Sequence, residues 1–235
     1  MSTKKTDLMK FYKKAKIANM QYLHEQEAWS NDQLICGVDE VGRGCFAGPV
    51  VVAAAILKPH SYHELLQDSK LLSKKELQTA YDWLMSHATF QLSTNTSTTI
   101  DQLNIYQATK VSMLQALKHF LYQQAVAPSK ILVDAMPLSL ENSIFSHIPI
   151  ESYTKGESVS ASIAAASIIA KVSRDRLITR MGKTFPGYGF EQHKGYGTQL
   201  HQKNIVHYQP SIIHRTTFLK KMLNNHESDQ QSIFC

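Results

Sequence analysis

Residues 34–57 read LICGVDEVGRGCFAGPVVVAAAIL, two apolar, β-prone runs joined by a glycine-rich connection. The first run ends in adjacent acids, Asp39 and Glu40. It then meets Gly42, Gly44, Gly48 and Pro49, which force the chain out of regular structure. Residues 50–57 supply a second strand, so the pair predicts a hairpin, with 90–96 as its third member.

Downstream, helical and strand patterns interleave. Ser73-Lys74-Lys75-Glu76 has the spacing of a capping box and predicts a helix through His87, with Leu77, Tyr81, Leu84 and Met85 on one face. Apolar residues recur at helical spacing from Leu103 to Leu121 and predict one long helix over 100–125, ended by Pro128. Residues 131–134 read as a buried central strand and 148–154 as another. After Gly156 a helix is expected over 158–184, with the small-residue stretch SASIAAASIIA suited to close packing on a sheet. A short helix over 198–207 closes a loop-rich C-terminal layer. Antiparallel strands followed by parallel ones make an α/β domain with a mixed sheet flanked by helices, and the sequence shows no internal repeat.

The 235 residues, 43% hydrophobic and 19% charged, suffice for one sizeable core and are too apolar for a disordered chain. The formal charge is 25 Lys and Arg minus 19 Asp and Glu, or +6. Residues 1–16 carry Lys4, Lys5, Lys10, Lys13, Lys14 and Lys16 against Asp7, which is +5, leaving +1 for the rest. A basic tail raises the pI, and the domain itself is nearly neutral. Residues 1–30 are therefore expected to be a basic helical extension, with an irregular apolar stripe over 5–29. Residues 31–220 are the expected catalytic domain and 221–235 a polar tail. The extension either lies on nucleic acid or packs on the domain's flank, and its charge alone does not decide.

Three cysteines without CxxC spacing support neither a disulfide framework nor a zinc knuckle. The N-terminus lacks the apolar core of a secretion signal, and the longest apolar runs are too short to span a bilayer. A cytoplasmic, membrane-free protein is expected.

Two apolar strands end in carboxylates, at Asp39-Glu40 and at Asp134, and Glu157 follows a glycine at a helix start. Taken singly, each is an ordinary solvated strand end. Several at neighbouring strand ends would repel one another, so their convergence favours a divalent cation, and oxygen ligands select Mg²⁺ or Mn²⁺ over zinc. Adjacent residues of a regular strand face opposite ways, so Asp39 and Glu40 share a site only if the strand breaks there. Gly42 and Gly44 supply a break and let a ligand approach the backbone. His60, His63 and Glu64 only mimic metal-ligand spacing, and a structural salt bridge is expected for Arg174 and Asp175.

The string GVDEVGRG at 37–44 resembles the signature of ribonuclease HII, the type 2 ribonucleases H. Further blocks resemble that family in order: Asp68-Ser69-Lys70, Leu72-Ser73, Asn104-Ile105 with Ala108-Thr109, Leu132-Val133-Asp134, and Lys155-Gly156. Ala165-Ala166-Ser167-Ile168, Ala170-Lys171-Val172 with Arg174-Asp175, Tyr188-Gly189-Phe190 and His193-Lys194-Gly195-Tyr196 follow. The resemblance spans about 34–218.

It implies a ribonuclease H-like fold and Mg²⁺- or Mn²⁺-dependent hydrolysis of RNA paired with DNA. Its catalytic, metal-holding carboxylates fall on Asp39, Glu40, Asp134 and Glu157, the last standing where the family usually has aspartate. It further implies that the backbone of Gly42, Arg43 and Gly44 reads the ribose 2′-OH, the group that separates RNA from DNA. Tyr196 would stack where ribose meets deoxyribose. Lys70, Ser73, Asn104, Thr109 and Lys194 are expected to touch phosphates, while Leu71 replaces a frequent second lysine. The expected substrates are RNA/DNA hybrids and DNA containing ribonucleotides, and the expected state is a monomer. The sister type, ribonuclease HIII, generally carries an extra N-terminal domain for which 33 residues before the first strand leave no room. A non-catalytic binder of hybrids is the other alternative; intact Asp39, Glu40 and Asp134 argue against it.

Overall fold

The computed structural model describes residues 22–220 and 222–224. It opens on helix α1 (Leu23–Ser30) and continues with strands β1 (Ile35–Val41) and β2 (Val50–Leu57). Helix α2 (Lys74–His87) leads into β3 (Ala88–Asn95), and two helices follow, α3 (Ser97–Leu103) and α4 (Ile105–Gln123). Strands β4 (Lys130–Asp134) and β5 (Ile150–Tyr153) precede α5 (Ala161–Thr184), the four-residue α6 (Phe190–His193) and α7 (Gln199–Tyr208). No helix among the described residues is long and apolar enough to cross a membrane.

The five strands form one sheet in the order β3-β2-β1-β4-β5. β1, β2 and β3 pair antiparallel, while β4 runs parallel to β1, and β5 parallel to β4. The hairpin, its third strand and the mixed sheet are thus as the residue pattern predicts. Because β2 is buried along its whole length, it reads VVVAAAIL without alternation: Val52, Ala54 and Ile56 face α4, and Val51, Ala53 and Ala55 face α5.

The small residues of α5 have a direct consequence at β1. A Cβ on Gly37 would lie 2.1 Å from the backbone carbon of Ser162 and 2.3 Å from the nitrogen of Ile163, so helix and strand touch backbone to backbone. Neither atom can swing away as a side chain would. Gly37→Ala is expected to destabilise the protein by about 3 kcal/mol or more, at the upper end for overpacking; urea denaturation would measure it, and a change below about 1 kcal/mol would show that α5 retreats easily.

Two expectations are corrected. The single helix over 100–125 is two helices, because Asn104 adopts φ 65°, which no α-helix accommodates, and its side-chain oxygen accepts the Gln107 N–H to start α4. The apolar spacing survives the break and conceals it. The helix expected from 158 starts at Ala161, with Ser160 as N-cap and a 3₁₀ turn over Gly156–Ser158 before it. The capping box at Ser73 and Glu76 forms as the spacing predicts.

Of the expected N-terminal helix, residues 1–21 lie outside the described residues. The described part packs into the domain: Tyr22 and Trp29 join the core beside α2 and α5, and Glu25 is buried. One Glu25 oxygen accepts from the Ser160 hydroxyl at 2.6 Å and the Ser162 N–H at 2.9 Å, placing a carboxylate at the positive end of α5.

Candidate active site

The sheet creates the site by ending unevenly. β4 stays beside β1 only to the pair Val38 and Val133, while β1 continues through Val41 against β2. Asp39 and Glu40 therefore extend past the point where β4 leaves, and Asp134 is the last residue of β4. β1 runs on to Val41 and breaks in the glycine-rich connection, where the sequence predicts it, just beyond Asp39 and Glu40. Both residues remain paired with β2, and the loss of the β4 neighbour opens the space they share.

That space is a pocket of about 130 Å³ lined by Asp39, Glu40, Asp134 and Glu157 together with Ser69, Lys70, Ser167, Lys171 and Tyr196. Glu157 arrives on the 3₁₀ turn, which Asp134 itself fastens: its Oδ1 accepts the Gly156 N–H at 2.7 Å. Asp39 Oδ1 accepts the Glu40 N–H at 2.7 Å, and the Ser167 hydroxyl also bonds Asp39. Ser167 is held in turn by Ser69 at 3.0 Å.

The electrostatics are those of crowded anions. Burial, the charge of Glu40 and then that of Asp134 push the Asp39 carboxyl well above the ordinary aspartate range. Burial foremost, with Asp134 adding, raises Glu40 against the opposing pull of Arg43, whose Nη1 lies 3.2 Å from Oε1, and of Lys70. Burial, then Asp134 and Asp68, raises Glu157. Asp134 thus acts on all three.

The donor set is all oxygen, as a hard divalent cation requires, and Glu40 Oε2 is buried with no hydrogen-bond partner. The residues fit such an ion by charge and chemistry. Among the described residues, however, no three Asp, Glu, His or Cys side chains already form a closed ligand set, and this holds for the four carboxylates as it does for His60, His63 and Glu64. His63 instead accepts the Leu65 N–H and packs on Trp83.

Beside the carboxylates the connection 42–49 is locked from behind. Arg215, fully buried, donates to the carbonyls of Gly42 (2.7 Å), Arg43 (2.7 Å) and Gly48 (2.8 Å). Arg174, also fully buried, donates to the carbonyls of Ala47, Pro49 and Lys194. Gly42 needs its glycine, with φ 91° and the Arg174 guanidinium where a Cβ would stand. Gly44 faces open space, with nothing within 4 Å of a Cβ position. Arg174 and Asp175 do not pair: Asp175 binds Lys171 at 3.0 Å, and Arg174 serves carbonyls instead.

Tyr196 sits at the pocket's rim, half exposed, with Lys171 5.7 Å and Arg174 5.9 Å from its ring centre. The expected phosphate-contact residues part company here. Lys70 lines the pocket. Asn104 is exposed but lies outside the pocket lining, where its side-chain oxygen caps α4. Lys194 donates to the Thr179 hydroxyl and the Glu191 carbonyl and lines a separate basic groove of about 510 Å³ with Lys74, Arg176, Arg180 and Lys183. Thr109 is corrected outright: it is fully buried and its hydroxyl donates to the Ile105 carbonyl, so it offers nothing to a phosphate. Residue reasoning missed Ser69, Ser167, Lys171 and Arg215 as parts of the site. The first three lie within the blocks quoted above, and only Arg215 carries no local signal.

The model of one family, ribonuclease HII, matches residues 36–221. The chain is 46% identical over 194 residues to ribonuclease HII of Bacillus cytotoxicus, covering 81% of this chain and 71% of that protein. It is 44% identical over 200 residues to ribonuclease HII of Enterococcus faecalis, covering 85% and 74%. The solved ribonuclease H2 of Pyrococcus horikoshii shares the fold, with a TM-score of 0.63 at 23% identity over 78% of this chain and 93% of that one. With its strand-end acids gathered in one pocket beside a glycine-rich backbone, and with these matches along its length, the chain belongs to the ribonuclease HII family of endoribonucleases.

Proposed function

We propose that the protein hydrolyses the RNA strand of RNA/DNA hybrids and cuts duplex DNA at single embedded ribonucleotides, using Mg²⁺ or Mn²⁺. The observation that carries this reading is the meeting of Asp39, Glu40, Asp134 and Glu157 in one pocket whose rim holds Lys70, Lys171 and Tyr196.

Asp39, Glu40, Asp134 and Glu157 would hold the ions, and their mutual repulsion is what a cation relieves. Bound there, divalent ions supply an activated water and stabilise charge on the entering and leaving oxygens of the phosphodiester. The chain does the rest. Lys70 and Lys171 offer ammonium groups to the phosphate. The backbone of Gly42, Arg43 and Gly44, fixed by Arg215, meets the ribose 2′-OH, and the open side of Gly44 leaves room for that approach. The Tyr196 ring stacks where ribose gives way to deoxyribose.

Incubating the protein with a duplex carrying one ribonucleotide, with and without Mg²⁺ or Mn²⁺, tests the reading: one metal-dependent cut beside the ribonucleotide is expected. Equal cleavage of all-DNA duplex, or none, would refute it. Glu157→Gln is expected to lower the rate and raise the metal concentration needed by about 10-fold, the loss typical of weakened metal sites, while Glu157→Asp stays active. An unaltered metal titration would remove Glu157 from the site.

A further inference from the structure

Against the backbone of Tyr196, outside the lining of the carboxylate pocket, lie three imidazoles whose tautomers the hydrogen bonds determine. The carbonyl of Tyr196 can only accept, so His201 Nδ1, 2.9 Å away, carries a hydrogen and Nε2 of neutral His201 is bare. His214 Nε2, 3.1 Å from that atom, must then donate to it, leaving His214 Nδ1 to accept. The other end agrees independently, since the Ser211 N–H, which can only donate, points at His214 Nδ1 from 3.0 Å. The relay runs one way: Ser211 N–H to His214, His214 to His201, His201 to the Tyr196 carbonyl.

His193 stacks on His201 with ring centres 4.2 Å apart. Its Nδ1 accepts the Gly195 N–H at 3.2 Å and its Nε2 donates to the Tyr188 carbonyl at 2.8 Å. All three rings are buried, and burial pushes His201 and His214 down to about 4 and lowers His193, so the set is neutral near pH 7. The Tyr196 carbonyl also accepts from the Thr198 N–H, and the Tyr196 N–H donates to the His193 carbonyl. The backbone of the rim tyrosine is thereby gripped from both sides by residues that never reach the pocket.

We propose that His201 and His214, with His193 stacked on His201, are positioning residues that set the Tyr196 ring for cleavage at a ribose–deoxyribose junction. The proposal rests on the reading of Tyr196 given above. Such a role is selective. A single embedded ribonucleotide presents one junction and needs the ring in place, whereas a continuous RNA/DNA hybrid presents many cleavable positions without one.

The test compares kcat and KM on a single-ribonucleotide duplex and on a hybrid for Tyr196→Ala, His214→Phe and His214→Gln. His214→Phe should lower kcat on the single-ribonucleotide duplex about 10-fold or more, within what a displacement of an ångström produces. KM and hybrid cleavage should change less than about 2-fold. His214→Gln, whose amide can replace the donor to His201, should recover most of the loss. A selective loss in Tyr196→Ala but not in His214→Phe, or an equal loss on both substrates, overturns the relay's role. No selective loss in Tyr196→Ala overturns the reading of the tyrosine and the positioning role with it. Imidazole nitrogen NMR of the unmodified protein separates that failure from the relay itself and stands even if His214→Phe does not fold. It should show His201 protonated on Nδ1 and His214 on Nε2; the reverse tautomers overturn the proposal.

Discussion

Asp39→Asn is expected to abolish cleavage while making the metal-free protein more stable at neutral pH. The amide keeps the oxygen that accepts the Glu40 N–H but removes one negative charge from a pocket in which burial, Glu40 and Asp134 all oppose it. The sign follows from linkage. A carboxyl whose folded pKa lies above its unfolded value makes no penalty at low pH and costs stability as pH rises above the unfolded value, until the folded group also ionises. Without divalent ions, the parent protein should therefore melt higher at pH 5 than at pH 8, as far as Asp39, Glu40 and Glu157 govern the difference. Asp39→Asn should reduce that slope. Added Mg²⁺ or Mn²⁺ should raise the parent's melting temperature more at pH 8 than at pH 5 and raise the variant's less. Cleavage should fall by at least about 100-fold, the loss that even outer partners of a metal site can produce, with duplex binding retained. Near-parent turnover, or a variant less stable at pH 8, would remove Asp39 from the role assigned to it.

Arg215→Met should have the largest effect on folding. The guanidinium is fully buried, and its donors serve the carbonyls of Gly42, Arg43 and Gly48. Burial drives its pKa down to about 10, still well above neutrality, so the charge persists. Methionine fills much of the volume and leaves three carbonyls without this partner, at about 1 to 3 kcal/mol for each that water cannot reach. A loss of about 4 kcal/mol is expected by urea denaturation. In conditions where the variant remains folded, the Gly42–Gly44 backbone should lose its fixed geometry. Preference for ribose over deoxyribose at the cut should then fall by about 10-fold or more. Destabilisation without any loss of ribose preference would show that the connection holds its shape unaided.

The sequence discloses elements whose cause is local. Ser73 and Glu76 cap a helix through contacts three residues apart, and the apolar run VVVAAAIL after Gly48-Pro49 reads as a strand, which the structure encloses on both faces. Asp39, Glu40 and Asp134 stand out because charged residues end apolar strands, and that incongruity is visible without coordinates. Glu157 stands out less, as an acid that follows a glycine at a helix start, and the family blocks add weight to it. What escapes notice depends on contacts between distant residues. Asn104 interrupts a helix inside an unbroken apolar rhythm. Glu25 looks like one more polar residue of a basic helix until Ser160, 135 residues away, is seen to bond it. Thr109 matches a family block yet points inward, which periodicity on α4 could have shown, since Ala108, Ser112 and Met113 are buried with it. Arg174, Arg215 and the histidines escape for another reason: neutral carbonyls and neutral rings satisfy them, and no pattern of opposite charge marks the pairing.

The bond from Arg215 to the Gly42 carbonyl spans 173 residues, and this sets an order of assembly on the ribosome. The four carboxylates are all present once residue 157 has emerged, and α5, with Ser167, completes their support soon afterwards. The 42–49 connection and Tyr196, proposed to tell ribose from deoxyribose, are held by Arg174 but are fully fastened only when residues 201, 214 and 215 have joined it. A nascent chain is therefore expected to gather its four carboxylates well before the 42–49 connection and Tyr196 are fixed in place. Arrested chains released at residue 190 and at residue 224 should differ less in metal-induced protease resistance of β1 than in protection of the 42–49 connection.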